Sequence, residues 1–129
     1  MPYTFNIAKG RVVELYNRVK SNDPANSAFI LIPIEAAGLE TEAVLKVKDT
    51  VADVLSGTTN EQATLGRKTL TDAQLAALPA PDDTNNWYAV SLPVTVWTAG
   101  TGNAIAMILV AYDPDTTAGT DANLSLIHI

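Results

Sequence analysis

Two short apolar runs set the limits on what this chain can fold into. Ala28-Phe29-Ile30-Leu31-Ile32-Pro33-Ile34 and Ala104-Ile105-Ala106-Met107-Ile108-Leu109-Val110-Ala111 are the long apolar stretches rich in β-branched residues. Both fall far short of the ~20 residues a membrane helix needs. Their length, their β-branched content and the turn residues around them instead predict strands buried on both faces. Pro33 has no N–H to donate, which places its end of the first strand at an edge or a bulge. The second run, extended to Tyr112, reads as a central strand. The predicted core includes Ile30, Ile32, Val96, Ile108 and Val110.

Between these runs the pattern is mixed. Val12, Leu15, Tyr16 and Val19 recur at i, i+3, i+4 and i+7, which favours an amphipathic helix over a strand for residues 11–20. Residues 42–55 read as helical or mixed, with Asp49 as a possible N-cap of a short helix ended by Gly57. A further short helix is predicted over 72–78, with Thr71 as N-cap and Pro79 as stop. After the turn cluster Pro81-Asp82-Asp83-Thr84-Asn85-Asn86, residues 87–92 alternate and residues 94–98 begin another strand beyond Pro93. Short strands separated by Gly, Pro and Asn turns predict a mainly β single domain, a β-sandwich or open barrel with one to three short helices. An α+β arrangement is the alternative.

Composition narrows the function. The chain has 129 residues, enough for one domain with a real core. Its net charge of −6 and the absence of a basic stripe set it against phosphate backbones, so nucleic acid is not an expected partner, and neither is a membrane. Lys9, Arg11, Arg18 and Lys20 are interrupted by Glu14 and read as the solvated side of one element. With no cysteine and a single histidine at position 128, a nucleophile has no paired base, so no enzyme and no cofactor are expected. Asp82 and Asp83 lie in a turn cluster, where capping of backbone N–H groups accounts for them.

Two clusters invite a binding role. Asp113, Asp115 and Asp121, spaced through Asp113-Pro114-Asp115-Thr116-Thr117-Ala118-Gly119-Thr120-Asp121, could supply oxygens to calcium. The spacing lacks the EF-hand order and its terminal Glu, and an Asx-rich turn explains the same residues without an ion. Trp87, Tyr88 and Trp97 could form a sugar-stacking platform, or pack in the core and its rim. Gly100-Thr101-Gly102 reads as a hairpin turn rather than a dinucleotide site.

The last six residues, Leu124-Ser125-Leu126-Ile127-His128-Ile129, stand apart. One choice of codons for them, CTG TCT CTT ATA CAC ATC, resembles the transposon end joined to DNA fragments in sequencing-library preparation. On this reading residues 1–123 form a domain incomplete at its C-terminus, and 124–129 are an adapter-derived tail contributing little to the fold. An unpaired edge beside residues 104–112 is then expected. The alternative is a genuine final strand with His128 incidental.

Several phrases resemble a family of small virion-associated structural proteins of tailed bacteriophages. They are the stretch from Lys9-Gly10-Arg11 to Ser27, Gly66-Arg67-Lys68-Thr69-Leu70-Thr71-Asp72, Asp82-Asp83-Thr84-Asn85-Asn86, Leu92-Pro93, Val96-Trp97-Thr98-Ala99 and Val110-Ala111-Tyr112-Asp113-Pro114-Asp115-Thr116-Thr117. The resemblance implies a head-surface decoration or tail component, assembled in the host cytoplasm and resident on the virion. Its implied partners are itself and other phage structural proteins, and it brings no catalytic residue. A carbohydrate-binding β-sandwich module, carried by the three aromatics, is the alternative function.

Overall fold

The computed structural model of the chain describes residues 2–86 and 88–129. Its centre is one antiparallel sheet of four strands, β1 (Ala28–Glu35), β2 (Lys68–Leu70), β3 (Ile105–Asp113) and β4 (Ser125–His128), in the order β2-β1-β3-β4. Three short helices accompany it, α1 (Val12–Lys20), α2 (Glu42–Leu45) and α3 (Val51–Leu55), with a 3-10 turn at Asn6–Ala8. This is the mainly β single domain with one to three short helices that the sequence predicts. The second sheet of a β-sandwich and the closure of a barrel are, however, absent among the described residues: helices and loops cover the one sheet, as in the α+β alternative. Each face of the single sheet is covered by helix and loop.

The two apolar runs form the paired strands β1 and β3, from Ala28 opposite Asp113 to Ile34 opposite Met107. Neither run alternates in polarity because both sheet faces are covered. Ile30, Ile32, Ile34, Leu109 and Ala111 face one core with Phe5, Leu45, Val51 and Val54. Phe29, Leu31 and Tyr112 face a second core with Leu15, Tyr16 and Val19 of α1. Ile108 and Val110 are half-buried against that second core. Pro33 sits where expected: its carbonyl accepts from Gln62 N–H at 2.8 Å, so its ring nitrogen faces the side where β2 has already ended. A register shift follows at Ile34/Glu35.

Helix α1 forms on the predicted spacing, with Leu15, Tyr16 and Val19 buried. On its outer side Glu14 accepts from Arg11 Nε at 3.2 Å and Arg18 Nε at 3.1 Å. Lys20 departs from the solvated reading. Its ammonium donates to the carbonyls of Asp72 (3.1 Å) and Leu75 (2.7 Å), while Tyr16 Oη donates to Ala76 O at 2.8 Å.

Those bonds explain why the predicted helix over 72–78 is a single turn instead. Thr71 N–H donates to Gln74 Oε1 as a cap should, but the carbonyls that would continue the helix are taken by α1 side chains. So short a segment cannot repay helix nucleation when its acceptors are already bound. The N-cap of α3 is Thr50, not Asp49. Thr50 Oγ1 accepts from Asp53 N–H and Asp53 returns the bond to Thr50 N–H, a closed capping box.

The strands predicted over 87–92 and 94–98 do not form among the described residues, and Val96, placed in the core by the sequence, is 73 % exposed. The reason is alternation. Trp97 lies inward, half-buried against the second core, with its indole N–H donating to Gly66 O at 2.9 Å. Burying one indole removes more apolar surface than burying a valine, so Val94 and Val96 take the outward side.

The terminal hexapeptide is not peripheral. Ser125, Leu126 and His128 pair with Tyr112, Ala111 and Val110 of β3. Leu124, Leu126 and Ile129 are buried in the first core and Ile127 in the second. On the far side of β4, Tyr3 and Ile129 exchange backbone hydrogen bonds at 3.1 Å, and Phe5 N–H donates to Ile127 O. Their apolar character lets these residues fill both faces beside the edge of β3.

Candidate functional site

The sheet edge beside β3 carries the most consequential geometry. On one side β3 pairs with β1 along its length. On the other, β4 pairs only with Val110, Ala111 and Tyr112. Residues 105–109 therefore have no backbone partner on that side among the described residues. The open edge predicted beside residues 104–112 is present, but shorter than expected because β4 closes its C-terminal part. A cleft of about 540 Å³ lies where β4 stops, lined by Pro2, Ala106, Met107, Ile108, His128 and Ile129 among others. A smaller apolar hollow of about 260 Å³ lies near it, between Val12, Phe29, Val90, Leu92, Val110 and Ile127. His128 borders both hollows, and burial pushes its imidazole below the ordinary value, towards the neutral form.

The acidic loop is organised from within. Asp113 Oδ1 accepts from Asp115 N–H and Asp115 Oδ1 accepts from Thr117 N–H, both at 3.0 Å, two successive Asx turns. Asp121 turns to Arg67, whose Nη1 and Nη2 reach its two oxygens at 2.6 and 3.0 Å. The same guanidinium binds Glu61 through Nε (2.9 Å) and Nη2 (2.6 Å). Arg67 thus ties the loop before β2 to the loop before β4, and its hydrogen bonds hold the Asp121 carboxyl below its usual range. Among the described residues no three His, Cys, Asp or Glu side chains converge as a metal cage. Asp113, Asp115 and Asp121 are distributed over turn bonds and an ion pair.

Asp82 Oδ1 accepts from the N–H groups of Thr84 and Asn85, as its turn position predicts. Of the three aromatics considered for sugar stacking, Trp87 lies outside the described residues. Tyr88 is 38 % exposed. Trp97 is committed to packing and to its bond with Gly66. Sequence reasoning did not single out Arg67. Its signal, one arginine among distant carboxylates, cannot be read without knowing which loops meet.

Compared with known proteins, the chain matches no protein family, no curated protein and no solved structure.

Proposed function

We propose that this protein is a non-enzymatic structural component of a tailed-phage virion, a head-surface decoration or tail subunit. It works by docking to copies of itself and to other virion proteins through its open sheet edge. The observation that supports this reading is residues 105–109 of β3, an uncharged stretch of strand whose outer N–H and C=O groups lack a partner among the described residues. Proteins that work as monomers blunt such edges with charge, proline or a bulge. In a symmetric lattice the same edge becomes the contact. The resemblance of several phrases to phage structural proteins points the same way, and the net negative charge suits a protein partner better than nucleic acid.

The genes flanking the locus test the assignment. Capsid or tail genes on either side are the expected result, together with cosedimentation of the purified protein with particles of that phage. Flanking metabolic genes, or no binding to particles, would overturn it.

A further inference from the structure

All eight basic and all fourteen acidic residues lie outside residues 84–112, a continuous charge-free stretch that contains two features without a strand partner among the described residues. One is the edge of β3 at residues 105–109, where strand pairing stops with β4 at Val110. The other is the segment Val94-Thr95-Val96-Trp97-Thr98. It is strand-forming by composition, yet belongs to no strand among the described residues and shows Val94 95 % exposed and Val96 73 % exposed. An edge lacks a strand and a strand-former lacks an edge.

We propose that residues 94–98 of one copy close the β3 edge of a second copy, adding a strand in line with β4 and seating Val94 or Val96 in the cleft beside Ala106 and Ile129. This deepens the virion reading above by naming the partner and the contact. Three observations select a second copy as the occupant. The unpaired main-chain groups require an extended segment, which supplies affinity through backbone hydrogen bonds while alternate side chains enter pockets. The cleft is lined by apolar side chains and His128 alone, which suits valine. Charge decides the rest: each molecule carries −6, so two copies repel over most of their surfaces. They meet with least cost where side chains on both faces are uncharged, and the donor segment and the acceptor strand both lie in the charge-free stretch. Donor and acceptor differ, so the contact is heterologous and propagates into a ring or chain, as a virion lattice requires.

Sedimentation velocity on the full chain tests this up to roughly 100 µM, which detects contacts with a Kd near that value. Val96→Lys places a charge on the donor and Ala106→Lys on the acceptor, both at exposed positions, with circular dichroism confirming that each folds. The expected result is a wild type larger than a dimer and two variants that are each monomeric. An equimolar mixture of the variants, which retains one intact donor and one intact acceptor, should stop at a one-to-one dimer. A monomeric wild type overturns the inference, and the flanking genes then still decide the virion reading independently. If V96K assembles like the wild type while A106K does not, β3 edges pair with each other and the donor assignment is wrong. Two folded variants that stay monomeric when mixed overturn it equally.

Discussion

Arg67 is where a single side chain does most to join distant parts of the chain. Its guanidinium satisfies Glu61 and Asp121 together, and Glu61 is only 17 % exposed. Arg67→Ala strips two part-buried carboxylates of their shared partner and should destabilise the fold by about 1–3 kcal/mol in urea melts. Arg67→Lys should recover only part of this, because one ammonium cannot present two parallel pairs of donors. His128 governs a different pH range. Its folded-state pKa is depressed by burial, so as pH falls through the ordinary value of 6.5 the unfolded chain takes up the proton first. Stability is full above that pH and declines below it. Asp121 is also depressed, but its contribution is lost only near and below its ordinary 3.8. Thermal melts of His128→Gln should therefore lose the decline that begins below pH 6.5 and keep the one near and below pH 3.8.

At the scale of elements, helix α3 shows how one residue of cap assignment can be tested. Asp49 and Thr50 are both good N-cap types, but only Thr50 has its side chain on the Asp53 N–H. Thr50→Ala should cost about 1 kcal/mol, whereas Asp49→Ala should stay within about 0.5 kcal/mol. Equal effects from the two variants would return the cap to Asp49. Helix α1 was legible because its buried stripe repeats at helical spacing, and β1 because an unbroken apolar run of that length suits a strand covered on both sides. Strand β2 was not legible. Its three residues, Lys68-Thr69-Leu70, carry no run or alternation of useful length, and they are strand only because Phe29, Ile30 and Leu31 lie opposite them.

For the molecule as a whole, closure depends on β4. Removing residues 124–129 takes away Leu124, Leu126, Ile127 and Ile129, each buried and each worth about 1.5–3 kcal/mol when fully covered. It also strips strand partners from Val110, Ala111 and Tyr112 and from the N-terminal segment. Because the net stability of a domain is about 5–15 kcal/mol, a chain ending at Asn123 should not fold cooperatively at 25 °C. Circular dichroism and urea melts check this directly, and a truncated chain as stable as the full one would show residues 124–129 to be the peripheral tail expected from the sequence. The same reasoning locates the candidate site. The edge of β3 is open only as far as β4 fails to cover it, a property of the assembled sheet.

The sequence by itself determined the paired apolar strands, the amphipathic helix, the turn at Asp82 and the restriction at Pro33. Each follows from the local period, length or backbone chemistry of adjacent residues. Only the tertiary structure decided that Trp97 turns inward and leaves Val94 and Val96 outside. It also decided that Lys20 and Tyr16 take the carbonyls of Asp72, Leu75 and Ala76, and that Arg67 meets Asp121 across 54 positions of chain. In each of these cases two distant segments compete for, or share, one partner, and the winner is set by which surfaces the folded sheet brings together.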